Sequence, residues 1–457
     1  MRKNKGTPLW RRIVLLSIIL IISFAVSKID FPGLSQSGKI MLGIFVFAAL
    51  SWITEVIPLA ATAAAIVFFE SLFLSRVSGL ENGHKIWMSS FASTTIVLFA
   101  GGFFLAVALK KYGIDIRIAR AIMKKVGHKP PLIILGMICI TGFLSMWISN
   151  TATTALMMAV IIPIANRMES SHKFVKGLIL SIPFAANIGG IATPVGTPPN
   201  AIAISNLAAA GIKITFTSWV KIGFPIAILL LLILWRLLLH FFPPDKKTYS
   251  VEFPEPPEFN SRSKVVVFVF IFTALMWLLE SLHGISASII AMFPPIFLVG
   301  FGLIGKKEIR EIGWETLILV GGGIALGTAM QRSGLSQWFI GLLPFSNSSS
   351  IFVMLTFASL TYIASNFMSH SAASNMMIPI ILGLSSSTDI VSIAISAAIC
   401  SSCAMILPIS TPPNAIAYAS EKIDKRNMAR VGIIIGVIGL VFVNLLMYIV
   451  SNYLNVG

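Results

Sequence analysis

The sequence predicts an all-α membrane protein of about eleven transmembrane helices and two re-entrant helical hairpins, set in two inverted-topology repeats. Three observations predict it. Of 457 residues, 56% are hydrophobic and 11% charged, whereas a soluble domain carries about 25% charged residues. Apolar runs of the roughly 17 to 25 residues that a helix needs to cross about 30 Å of hydrocarbon recur along the whole chain. The second half also repeats landmarks of the first in the same order.

The first span, near 13–28, lies in an N-terminal unit of residues 1–37. Its basic start, apolar core from Ile13 to Val26 and Ala25-Val26-Ser27 end are also features of a secretory signal. An uncleaved helix fits better, because the basic residues farther along agree with that helix crossing from inside to outside. A first repeat, 38–242, then holds spans near 38–56, 58–75, 92–110, 174–210 and 217–242. Its stretch 131–167 is too long for one crossing and is interrupted at Ser149-Asn150, so it is expected to enter and leave by the same side. Between Lys110 and Lys129, Ile114, Ile118, Ile122 and Met123 alternate with Arg117, Arg120, Lys124 and Lys125, the pattern of a surface amphipathic helix.

Residues 243–263, rich in proline and charge, form a cytoplasmic linker that cannot be a membrane helix. The second repeat, 264–457, holds spans near 264–282, 285–304, 315–331, 389–420 and 428–452, with a hairpin over 348–384 interrupted at Ser365-Asn366. The two halves share TIVLFAGG from Thr95 with TLILVGGG from Thr316, Ser-Asn at 149 and 365, Pro163 with Pro379, and TPPNAIA from Thr197 and from Thr411. Each half has an odd number of crossings, so the second copy is upside down, an arrangement that points to alternating access.

The net charge of +17 reads as topology. With a cytoplasmic N-terminus, 27 of the 34 Lys and Arg residues fall inside, in clusters at 2–12, 110–129, 167–176, 236–264, 306–310 and 422–430, as the positive-inside rule favours. Lys28, Lys39, Arg76, Lys85, Lys213, Lys221 and Arg332 fall outside, and so does the C-terminus. No basic stripe alternates with stacking aromatics, so nucleic acid is not an expected partner. Cys139, Cys400 and Cys403 sit in apolar surroundings and read as packing residues rather than a disulfide framework.

Unwound backbone at membrane depth is tolerated only where it is buried in protein or lines a wet cavity. Four such places are expected: the two Ser-Asn tips, and the breaks Gly196 to Asn200 and Ser410 to Asn414. Each Pro-Pro pair stops one helix and starts another, leaving carbonyls for a hard cation and amides for an anion. Ser, Thr and Asn can donate to an oxyanion without adding fixed charge. No Lys or Arg lies in these loops, so co-bound cations are the expected counter-charge. Glu55 and Glu280, near segment ends, read as structural or proton-coupling carboxylates. His370, four residues after Asn366, is a candidate pH sensor.

SNTATT from Ser149, SN at Ser365, the two TPPN breaks and WITEVIPLAATA from Trp52 resemble the divalent anion/sodium symporters, the INDY-type dicarboxylate transporters, nearly end to end. The resemblance implies a homodimer in the inner membrane, surrounded by lipid, that moves a small divalent anion with sodium by an elevator mechanism; a C4-dicarboxylate such as succinate is the expected substrate. It places substrate at Ser149, Asn150, Thr151, Thr197, Pro198, Ser365, Asn366, Thr411 and Pro412. One sodium site would be Ser145, Ser149, Asn150 and Gly196, and the other Thr361, Ala364 (through its carbonyl), Asn366 and Ser410. Phe367 departs from the small residue usual after the second Ser-Asn. If it faces the pocket, it narrows it and puts the C4-dicarboxylate in doubt; if it faces a neighbouring helix, nothing changes. The later pair Ser374-Asn375 is not the matching motif, because only Ser365-Asn366 keeps the Asn-to-Pro spacing of the first hairpin. Sodium-independent exchange, sulfate or another anion, and an anion channel are the alternatives. No enzyme is expected, since Gly-x-Ser-x-Gly, His-Glu-x-x-His and paired intramembrane aspartates are missing from the sequence.

Overall fold

Helices start where a side chain can satisfy their free amides. Ser35, Ser93, Ser149, Thr215, Asn260 and Ser369 each accept a hydrogen bond from the backbone amide three residues on, the N-cap geometry. The computed structural model describes residues 8–77, 82–168, 173–249, 254–343, 345, 348–384 and 390–453. Residues 2–7, 169–172 and 250–253, parts of the expected basic clusters and linker, lie outside the described residues. Among the described residues the secondary structure is helical, without strands.

Nine helices in the described residues are long and apolar enough to cross a membrane, and shorter apolar helices accompany them. In chain order, α1 is Leu9–Lys28, α2 Gln36–Thr54 and α3 Leu59–Val77, the last with a π-helical turn at Glu70–Leu74. Helix α4 is Thr94–Lys111, and α5, Ile114–Val126, is the expected amphipathic helix. The first hairpin is α6, Pro130–Ser145, and α7, Asn150–Arg167. The expected span 174–210 is two helices, α8 Lys173–Gly189 and α9 Pro198–Ala209, followed by α10, Phe216–Phe241.

The second half runs α11 Ser261–Leu278, α12 Ala287–Gly300, α13 Trp314–Arg332 and α14 Leu335–Gly341. Its hairpin is α15, Ser350–Phe367, and α16, His370–Ile381; then come α17 Ile390–Ser402, α18 Pro412–Tyr418 and α19 Lys425–Tyr453. The order α6, α7, α8, break, α9, α10 in the first half is matched by α15, α16, α17, break, α18, α19 in the second.

Close packing brings the halves together. Hairpin helix α6 packs on α8, as α15 packs on α17. A Cβ on Gly189 would lie 2.3 Å from Gly142 O, so this crossing needs glycine. Each hairpin also meets the break helix of the opposite half: α7 touches α18, and α16 touches α9. Four helix ends therefore converge from two halves of the chain.

Candidate functional site

The two breaks are built alike. Thr197 and Thr411 have nearly the same backbone angles, φ −147° and ψ 145° against φ −144° and ψ 149°, and each is followed by two prolines that start a helix with no amide to waste. Asn200 Nδ2 donates to Gly190 O at 2.9 Å and Thr193 O at 2.8 Å. Asn414 Nδ2 donates to Met405 O at 3.0 Å and Leu407 O at 3.1 Å. Each asparagine thus ties down the carbonyls of its own unwound strand, which would otherwise be costly inside a membrane. The halves are also cross-linked, since Asn187 Nδ2 donates to Thr411 Oγ1 at 3.3 Å and to Asn414 Oδ1 at 3.4 Å.

A cavity of about 530 Å³ opens where these ends meet. Of the residues expected to bind, Ser149, Asn150, Thr151, Gly196, Thr197, Pro198, Ser410, Thr411 and Pro412 line it. Ser145 is fully buried just behind, within hydrogen-bond reach of Asn150. Phe99, Phe103 and Leu319 add an apolar wall. Neither Lys nor Arg lines the cavity, and Glu315 and His370 are its titratable side chains.

The second hairpin turns later than the dipeptide suggested. Helix α15 continues through Ser365-Asn366, because Asn366 Nδ2 donates to Tyr362 O at 2.9 Å, one turn back in the same helix. The chain breaks at Met368, and Ser369 caps α16 with φ −65° and ψ 147°, close to the φ −56° and ψ 142° of Ser149. The structural partner of Ser149-Asn150-Thr151 is therefore Ser369-His370-Ser371, and these three line the cavity. Thr361, Ala364, Ser365, Asn366 and Phe367 do not. Phe367 is 67% exposed on the outer surface.

Oxygen atoms crowd around Asn150. One terminal atom of its amide lies 2.7 Å from Ser145 Oγ, 3.1 Å from Ala186 O and 3.2 Å from Gly196 O. As a nitrogen, that atom has two hydrogens for three acceptors. As an oxygen, it completes a group of four oxygens with one hydroxyl hydrogen among them, a donor set suited to a hard cation. Turning the amide over converts one arrangement into the other. Ala186 was not legible as a participant in the sequence, since it contributes only its carbonyl.

The remaining candidates have structural settings. Glu280 accepts a hydrogen bond from Phe216 N at 3.0 Å and so caps α10. Glu55 ends α2 in an exposed left-handed conformation, φ 48°. The sequence reading passed over Glu70, which is fully buried on the π-helical turn with no hydrogen-bond partner for either oxygen. At the first hairpin tip, Trp147 stacks on Trp277 of α11, with centroids 6.5 Å apart and planes 9° apart, and on Phe216 of α10 at 6.5 Å. All three cysteines are free thiols.

The chain matches a known family. The family described as sodium:sulfate symporter transmembrane region matches residues 6–455. A sodium-dependent dicarboxylate transporter, SdcS, of Staphylococcus saprophyticus is 31% identical over 455 residues, covering 91% of this chain and 86% of the relative. SdcS of Staphylococcus aureus strain USA300 is 31% identical over 460 residues, with the same coverage. The crystal structure of the YdaH transporter of Alcanivorax borkumensis superposes with a TM-score of 0.58 at 11% identity, over 86% of this chain and 98% of that one, a likeness of fold alone. The chain is therefore a multi-pass membrane protein that belongs to the sodium:sulfate symporter family, the divalent anion/sodium symporters.

Proposed function

We propose that this protein takes up a small divalent anion, a C4-dicarboxylate such as succinate, coupled to sodium. The observation that carries this reading is the meeting of two hairpin tips and two helix breaks at one cavity that has no cationic side chain. Amides and hydroxyls of Ser149, Thr151, Thr197, Ser369, Ser371 and Thr411 are placed to donate to carboxylate oxygens, and the helix ends add positive potential. Sodium, as co-substrate, fits the oxygens around Asn150, where it would offset the anion's charge without a permanent cation. Similarity to the SdcS transporters supports the choice of a dicarboxylate.

The same reading extends to movement and placement. The repeats 38–242 and 264–457, inverted in the inner membrane with the N-terminus cytoplasmic and the C-terminus outside, would carry the shared cavity from face to face in an elevator motion within a homodimer. Each uncompensated charge crossing the membrane is worth about 2.3 kcal/mol per 100 mV, so the ratio of sodium to substrate decides whether the potential helps. The test is uptake of labelled succinate into proteoliposomes with and without an inward sodium gradient, beside Asn150→Ala. Uptake that needs both sodium and Asn150 is expected. Equal uptake without sodium would favour exchange, and sodium-driven uptake of sulfate but not succinate would move the substrate class.

A further inference from the structure

We infer that the second half of this protein has given up its sodium site and that the imidazole N–H of His370 stands where that cation would be. This rests on the sodium-coupled reading of the first half.

The register between the halves comes from the hydrogen bonds. Asn200 donates to the carbonyls nine and seven residues upstream, Ile191 and Thr193. Asn414 donates to those nine and seven upstream, Met405 and Leu407. Ala404 is therefore the counterpart of Gly190, and His370, following the capping Ser369, is the counterpart of Asn150. Both side chains lie against the matching residue of their own half. Asn150 lies against Gly190, so closely that a Cβ on Gly190 would be 2.5 Å from its side chain, and His370 Nε2 is 2.7 Å from Ala404 O.

The chemistry of the two contacts is opposite. Around Asn150, oxygens outnumber the hydrogens available to them. A carbonyl can only accept, so Nε2 of His370 carries the hydrogen and donates it to Ala404 O. That holds for either charge state of the ring. At the position of the Asn150 amide the second half therefore presents an N–H donor turned on a carbonyl, where a cation needs an oxygen.

Three of the ligands expected in this half hold bonds of their own. Ala364 O accepts from Met368 N at 3.0 Å, Asn366 Oδ1 from Ile406 N at 3.0 Å, and Ser410 Oγ from Leu407 N at 3.1 Å, while Ser410 Oγ itself donates to Asn366 O. These bonds make Asn366 and Ser410 a clasp on the unwound strand 403–411 rather than an open cage. Ser365, the counterpart of Ser145, keeps a buried hydroxyl without a partner.

The test counts sodium directly. Equilibrium binding of radioactive sodium to the purified full-length protein is measured for wild type, Asn150→Ala, Ser365→Ala and His370→Asn, with thermal unfolding as a check on each fold. Asn150→Ala is expected to lower the number bound per protomer by one and Ser365→Ala to leave it unchanged. His370→Asn, which restores an amide oxygen, is expected to raise it by one. A loss of one sodium in folded Ser365→Ala would overturn the inference. An unchanged count in folded His370→Asn would overturn the role given to His370. Succinate uptake on the same preparations keeps the two readings apart: sodium-independent uptake by wild type defeats the coupling proposal, whereas the sodium counts alone decide whether the second site exists.

Discussion

Adding one methyl group at Gly190 should separate cation binding from the rest of the fold. In Gly190→Ala the new Cβ would lie 2.5 Å from the Asn150 side chain and 3.1 Å from Gly196 O, where a carbon–oxygen contact ordinarily needs about 3.3 Å. The overlap with Asn150 is therefore roughly 0.8 Å, and the backbone carbonyl of Gly196 blocks one way out. Overpacking of this size costs about 1–3 kcal/mol. Because the displaced atom is itself a proposed ligand, that cost falls on the bound form, and sodium affinity should drop roughly 5- to 150-fold. The assay is the sodium concentration that half-maximally raises the unfolding temperature of the purified protein without substrate. Gly300→Ala, where a Cβ meets nothing within 4 Å, is the control. An unchanged sodium midpoint in a folded Gly190→Ala protein would refute the cation assignment around Asn150.

Three further outcomes are expected. Asn200→Ala removes the bonds of 2.9 and 2.8 Å to Gly190 O and Thr193 O; Thr193 O still accepts from Gly196 N at 3.3 Å, so at about 1–3 kcal/mol for one buried group left unpaired, stability in denaturant titration should fall by about 1–3 kcal/mol, and a loss under about 0.5 kcal/mol would be inconsistent with this. Phe367→Thr should leave the substrate profile in competition uptake unchanged, since the ring is 67% exposed and away from the cavity; a shift in preference would contradict that placement. Burial raises the Asp115 carboxyl on surface helix α5 from 3.8 to about 6, so the folded protein holds this proton more tightly than the unfolded chain and stability falls as pH rises from about 4 to about 6; Asp115→Asn should flatten that slope in thermal unfolding scans.

The spans and the breaks were legible in the sequence because lipid imposes a strong rule: apolar runs of fixed length, interrupted only where something must be bound. The TPPN breaks stood out for the same reason, since Pro-Pro cannot continue a helix and the motif occurs twice. The second hairpin tip was misplaced by four residues. Ser365-Asn366 matched the first tip by residue name and by its distance to a proline, but α16 is shorter than α7, so that distance was a poor ruler. A better signal was present. Ser369 lies 220 residues after Ser149, close to the 221 that separates Thr95 from Thr316, and it is followed by a sequence able to accept an N-cap. Backbone contributions such as Ala186 O, and the partnerless Glu70, depend on neighbours distant in sequence and carried no local mark.

The stacked rings at the first hairpin tip make its position readable by light. Trp147 lies parallel to Trp277, on a helix from the opposite half, and tryptophan emission responds to what covers the indole. Any motion that lifts the tip from α11 exposes both faces of the stack at once, so intrinsic fluorescence should follow the hairpin without an added label. With nine tryptophans in the chain, the difference between wild type and Trp277→Phe isolates this pair, giving a stopped-flow signal for a step that uptake assays average over many turnovers.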